Sequence, residues 1–295
     1  MAEAAAGRVR RWLDAFAAAD RLDLVAVMTL VLLLVYSGGG WYVQVPVAVL
    51  GAAGLLLRGL RRHAGFWLVL APVLAAGYLR EWYAVDNHKW LFVYWCLALG
   101  LALATREPRA ALATSARWLV AACFVFATAW KVLSPDFLDG SFFHYAFLTD
   151  LRLEWAAELL GGLPPHAGAA NRRALEAAVT YSAEVSGVDL ASTPGVAAAA
   201  RALAWGTLAI EALVALAFLA PLRRPWDDRL RAPLLLAFVV GTYAMAPVIG
   251  FGWVLLILGL AQAPDRGPVP AAYGLLFVLL PLYQTPWHDL LAGLG

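Results

Sequence analysis

About nine apolar runs of helical length follow one another along the chain, near residues 22–36, 42–58, 65–80, 90–104, 115–133, 203–222, 233–249, 251–263 and 269–284. Crossing a hydrocarbon layer takes about 20 apolar residues in a helix, since every backbone N–H and C=O must be bonded within the segment. Several runs are shorter than this. The pattern predicts an all-α protein, a polytopic transmembrane helical bundle of about 8–9 spans. The stretch AMAPVIGFGW around Gly250 reads either as a tight turn or as a break in one longer element. Composition points the same way: 63% of residues are hydrophobic and 14% charged, against roughly 45–50% and 25% in soluble domains.

Arginines set the expected orientation. They cluster before the first run (Arg8, Arg10, Arg11, Arg21), after the second (Arg58, Arg61, Arg62) and before the fifth (Arg106, Arg109, Arg117). Further clusters follow the sixth run (Arg223, Arg224, Arg229, Arg231) and the eighth (Arg266). If the spans alternate, all of these share one side, which the positive-inside bias assigns to the cytoplasm. The expected organisation is a cytoplasmic amphipathic N-terminal helix over 1–21 and transmembrane helices 1–5 over 22–133. An extracytoplasmic helical or re-entrant cap follows over 134–202, then transmembrane helices 6–9 over 203–284 and a short tail over 285–295. The N-terminus lacks the compact apolar core and cleavage site of a signal peptide. Heavy Ala, Leu, Arg and Gly usage points to a GC-rich bacterial genome, so the membrane expected is a bacterial inner membrane. A net charge of +2 with dispersed arginines carries no nucleic-acid signal. Cys96 and Cys123 lie inside apolar runs and read as small buried hydrophobes.

Within the cap, LRLEWAAELL and RRALEAAVTYSAEV read as amphipathic helices, separated by turn signals at Gly161, Gly162, Pro164 and Pro165. Such a segment packs onto the bundle as a cap or lies in the membrane interface.

The chemistry-bearing positions are few. Lys131 stands where the fifth run ends, at a low-dielectric boundary, either snorkelling to the interface or serving as a base. Asp86, Asn87 and His88 occupy a short loop before the fourth run, as a ligand-orienting group or an interfacial turn within the belt of Trp82, Tyr83 and Trp90. Asp136 and Asp139 follow Lys131 past Pro135 and either tune it or form a polar turn. His144, in SFFHYAF, lines a cavity or sits at the interface. Glu211 is the carboxylate well inside an apolar run, where an ionisable group costs about 2.5–3.5 kcal/mol on insertion scales. It calls for a polar network facing the bundle, with Lys131 as one candidate partner, or for a glutamate bridging two helices. No metal-ligand spacing is present, so no metal is expected.

Three stretches carry a family likeness. VDNHKWLFVYWCLAL, FVFATAWKVLSPDFLDGSFFHYAF and TLAIEALVALAFLAPLRR together resemble, in order, the transmembrane core of the vitamin K-dependent gamma-carboxylases, within the horizontally transferred transmembrane domain (HTTM) proteins. The resemblance implies an active face that is lumenal or periplasmic. It implies a lysine base acting on vitamin K hydroquinone or another membrane quinol, with Lys131 and His88 as catalytic residues. Asn87, Asp86, Glu211, Asp136 and His144 would then bind substrate or cofactor. The chain departs from the family at its paired lysines, where Val132 follows Lys131, and at a Phe-His pair, where Val239 and Val240 stand. The large soluble region that grips a carboxylase's protein substrate is also missing from this sequence. Two readings follow: a quinol-dependent membrane enzyme, or a non-catalytic membrane partner (an assembly, export or immunity subunit) acting with a separate soluble or membrane protein.

Overall fold

A computed structural model of the chain describes residues 7, 19–181, 187–220, 225–246, 248–265 and 267–283. Most of the 1–21 helix, the SAEV end of the second cap helix, the 285–295 tail and Arg8, Arg10, Arg11, Arg223, Arg224 and Arg266 lie outside the described residues. Among the described residues the chain is helical, without strands. The helices are α1 (Arg21–Tyr36), α2 (Trp41–Leu56), α3 (Arg58–Arg61), α4 (Ala64–Arg80), α5 (Asn87–Leu103), α6 (Pro108–Leu133) and α7 (Pro135–Leu138). They continue with α8 (Ser141–Thr149), α9 (Glu154–Gly161), α10 (Ala167–Tyr181), α11 (Pro194–Leu219), α12 (Pro225–Met245), α13 (Ile249–Ala261) and α14 (Val269–Tyr283).

Each apolar run coincides with a helix, but α6 and α11 start earlier than hydropathy alone suggests. Thr193 caps α11, its hydroxyl accepting from Val196 N at 3.1 Å, and Pro194 supplies a preset first turn. Around Gly250 the chain makes two helices, with α12 ending at Met245 and α13 beginning at Ile249. At 26 residues each, α6 and α11 are long and apolar enough to cross a membrane. Only 28% and 33% of their most apolar windows are buried, which sets them apart from the core helix of a soluble protein. The other apolar helices are shorter.

The chain divides into two compact units. The first comprises Met1–Cys123, Ala217–Val239 and Val248–Gly295, and the second Phe124–Leu216 and Val240–Pro247.

In the first unit α1 packs on α2, α2 on α4, α4 on α5, α5 on α13, and α13 back on α1, closing a circuit, with α14 on α13. Except for Phe251, every residue of α13 is buried. Such all-round apolarity belongs to a helix enclosed by others. Close approach of α2 and α4 depends on Gly77, because a Cβ there would come within 2.0 Å of the Val43 side chain. Buried aromatic donors find partners on neighbouring helices. Trp95 Nε1 donates to Thr29 Oγ1 at 2.9 Å, Trp253 Nε1 to Phe277 O at 2.7 Å, and the Tyr78 hydroxyl to Ser37 O at 2.7 Å.

Arginines close the carbonyl ends of helices in this unit. Arg21 donates to Leu260 O beyond the middle of α13, and Arg61 to Gly54 O and Leu55 O of α2. Arg117 and Arg231 both donate to Ala220 O, each at 2.7 Å, just past α11. Asp23 accepts Arg61 at 2.9 and 3.1 Å and lies 3.4 Å from Arg58, while Arg62 pairs with Asp20 and Arg109 with Asp265.

The second unit is built on Phe147 and Leu148 of α8, Leu153, Ala156 and Ala157 around the start of α9, Leu163, and Val196 and Ala200 of α11. Gly161 and Gly195 let the ends of α9 and α11 meet backbone to backbone, since a Cβ on Gly195 would fall 2.4 Å from Gly161 O. The buried Asn171 of α10 accepts from Ala191 N at 2.9 Å and donates to Ala191 O at 3.0 Å, tying down the connection before α11.

Two outcomes follow. Gly77→Leu is expected to destabilise the first unit by about 1–3 kcal/mol through overpacking, read as a lowered thermal midpoint; an unchanged midpoint would show that α2 and α4 can part freely. In the second unit, hydrogen bonds from the Arg152 side chain hold the Asp150 carboxyl below its ordinary value. A depressed carboxylate stabilises above its unfolded pKa, and that contribution disappears as pH falls through the folded one, below about 4. Asp150→Asn should therefore lose stability at neutral pH, with the gap to wild type closing on acidification. A gap that stays constant down to pH of about 3 contradicts this.

Candidate functional site: a lysine–glutamate pair

Helix α6 carries a stripe of buried residues, Leu112, Ala116, Val120 and Phe124, at four-residue spacing. Continued at helical period, the stripe passes Thr128 and ends on Lys131, in the last turn of the helix. Helix α11 carries its own stripe through Val196, Ala200, Ala204, Glu211, Val214 and Phe218. Both ionisable residues therefore stand where apolar side chains would otherwise be.

The structure brings the two together within the second unit. Lys131 Nζ donates to Glu211 Oε1 at 2.7 Å and to Oε2 at 2.6 Å. The Glu211 side chain is 8% exposed and that of Lys131 20%. A carboxylate among apolar residues is tolerable when its charge is matched at contact distance, and here both of its oxygens are engaged. The ammonium also lies 5.3 Å from the ring centre of Phe137, a cation–π contact. Phe137 in turn packs with Phe142 and Phe143, at ring-centre distances of 5.8 and 5.4 Å. One turn before Lys131, Thr128 Oγ1 is buried without a hydrogen-bond partner among the described residues.

The remaining predicted residues lie elsewhere. Asp86, Asn87 and His88 do not form a loop. Asp86 stands at the N-cap position of α5 without a side-chain cap hydrogen bond, and Asn87 and His88 are the first two residues of the helix. His88 belongs to the first unit, half-buried, with ring centres of Phe92 and Phe251 each 5.9 Å away. Pro135 does not merely end α6 but opens the short α7, with Asp136 exposed in its first turn. Asp139 accepts from Ser141 N at 2.8 Å, which holds its carboxyl below the ordinary value. The described partners of the Lys131 ammonium are thus Glu211 and Phe137, not these aspartates. His144 sits on α8 with Nε2 2.7 Å from Ser192 Oγ, and Cys96 is fully buried. Among the described residues no three His, Cys, Asp or Glu side chains converge.

Phe137 and Thr128 are contributors that reading the sequence missed, as is Ser192, the partner of His144 away from the pair. Thr128 carried a usable signal, being one turn from Lys131 on the same stripe, whereas Ser192 is 48 residues from His144 and carried none.

Removing one member of a matched buried pair leaves the other uncompensated. Lys131→Met and Glu211→Leu should each destabilise by about 3–5 kcal/mol, and the double variant by less than either single. Additive losses in a double-mutant cycle would refute the coupling. Compared with family models, curated proteins and solved structures, the chain finds no match in any of the three.

Proposed function

We propose that the protein is an integral membrane protein with a vitamin K-dependent carboxylase-like core that handles a membrane quinol at its extracytoplasmic face. The observation that carries this reading is the contact between Lys131 and Glu211, an amine and a carboxylate matched on two helices otherwise rich in apolar residues. The helix surfaces add support. Val45, Val49, Leu101, Phe126, Leu213 and Leu216 are each more than half exposed, as lipid-facing positions are. Trp41, Trp82, Tyr83 and Trp130 are exposed aromatics of the kind that gather at membrane interfaces. The arginine-rich helix ends suit the cytoplasmic side of a bacterial inner membrane, with the N-terminus on that side.

Chemically, a proton moved along the 2.6 Å contact converts the ion pair into a neutral amine beside a neutral acid, with no change in net charge. The neutral amine of Lys131 is then a base for an acidic hydroxyl, and Glu211 stores the proton. A bound quinol would supply that hydroxyl and two electrons. The Thr128 hydroxyl, one turn from Lys131 and without a partner among the described residues, is a group that a ring carrying oxygen substituents would satisfy. Within the second unit, Asp136 and His144 are further candidates for binding substrate; in the first unit, taken by itself, His88 is a catalytic candidate and Asn87 and Asp86 are binding candidates.

A second reading has its own observation. Both charges are already satisfied by each other, as a structural clasp would be, which suits a non-catalytic partner of another soluble or membrane protein.

One experiment separates the two. Protein purified with its native lipids is assayed for bound quinone by mass spectrometry, alongside Lys131→Ala and the swapped pair Lys131→Glu with Glu211→Lys. The quinol reading expects quinone in the wild type, none with Lys131→Ala, and none in the swap even though the swap restores stability. An identical quinone profile in all three assigns the pair to holding helices together.

A further inference from the structure

A cavity of about 300 Å³ opens in the first unit between the start of α1, the first turns of α6 and the end of α13. Its polar lining is Arg21, Arg109, Gln262 and Asp265, and its apolar lining includes Leu22 and Leu112. Arg21 is only 8% exposed. Its guanidinium spends two of five N–H donors on the Leu260 and Pro264 carbonyls, at 3.1 and 3.4 Å. Those carbonyls lie at the negative end of α13 and hold the group in place, but they do not cancel its charge. Among the described residues Arg21 forms no ion pair at contact distance; the nearby Asp265 carboxylate acts on it electrostatically but is paired with Arg109. The cavity therefore has two guanidinium groups against one carboxylate, with donors left over on a buried cation. Beside it, across Ala110, a second hollow of about 430 Å³ is lined by Thr105, Arg106 and Glu107. Both border the first turn of α6, whose positive end adds to the field.

We infer that this cavity binds an anionic phosphate group, presented as the headgroup of an anionic phospholipid or as free phosphate. A buried guanidinium that shares its one nearby carboxylate with a second arginine is costly unless a further anion compensates it, and arginine's planar fork matches phosphate oxygens. The volume is at the small end of ligand pockets, roughly 300–1,000 Å³, and suits a headgroup rather than a whole lipid. Leu22 and Leu112 give a glycerol or acyl stem an apolar wall. Basic pockets between helices on the cytoplasmic side are where anionic headgroups are held. The lipid as source rests on the membrane reading above, which resistance to carbonate extraction tests separately; the phosphate chemistry does not.

The test uses the full chain in lipid nanodiscs of phosphatidylcholine alone, of phosphatidylcholine with phosphatidylglycerol, and of phosphatidylcholine with millimolar inorganic phosphate. Native mass spectrometry reads retained lipid, and the thermal midpoint reads phosphate binding. Arg21→Gln would also uncap α13, so the informative variant is Arg109→Gln, which leaves the Leu260 and Pro264 contacts intact. The wild type should retain phosphatidylglycerol over phosphatidylcholine, and Arg109→Gln should lower that preference about fivefold, the effect of one arginine near an anionic headgroup. A midpoint raised by inorganic phosphate, with no lipid preference, would identify free phosphate as the source. Equal retention of both lipids with no phosphate effect, or a preference untouched by Arg109→Gln, overturns the inference.

Discussion

Polar groups set among apolar helices have to find partners within the protein, and the architecture of this chain follows from how they do. Each helix leaves its last carbonyls unbonded, and water is scarce where those ends are buried. Arginine is suited to the task because one rigid fork reaches several carbonyls at once. Arg61 bridges two carbonyls of α2 while its other nitrogens bind both oxygens of Asp23. Arg117 and Arg231 converge on the end of α11 in the same way. Arginines that the sequence offered as orienting charges thus serve in the structure as caps that finish helices.

The pair in the second unit obeys the same rule with the roles changed. There the unsatisfied group is a side chain, Glu211, and the cation comes from the final turn of α6. That location has two consequences. The lysine's long stem lets its head reach inward while the helix end stays near the surface, and the ammonium benefits from the negative end of its own helix. Thr128 has no such partner, which makes that turn of α6 the least saturated polar spot among the described residues.

Much of the fold was legible because hydropathy marks helices that are apolar on most faces, and the runs at 42–58, 65–80 and 269–284 match α2, α4 and α14 closely. Starts were less legible. The apolar pattern of α6 begins well after Pro108, since a first turn is set by capping chemistry and can be polar. At the site, Glu211 was readable as a problem needing a solution from its burial cost, and Lys131 as a candidate solution from its place at the end of the fifth run, towards the same half of the bundle. His88 was misread as part of a loop because polar residues favoured in turns are also favoured at helix starts. The capping role of the arginines was not readable at all. Arg117 meets carbonyls 101 to 103 residues away and Arg21 one 239 residues away, and no local pattern encodes a partner that distant.

The enclosure of α13 bears on how the chain assembles. A segment covered on all sides cannot take up its final place by resting on one neighbour; several walls must stand before it, or rise with it. In the order of synthesis, α1 and α5 are both made before α13, and among its main described neighbours α14 comes later. Chain order thus allows the most enclosed helix of the first unit to enter a slot whose α1 and α5 walls have already been made, with α14 left to cover it.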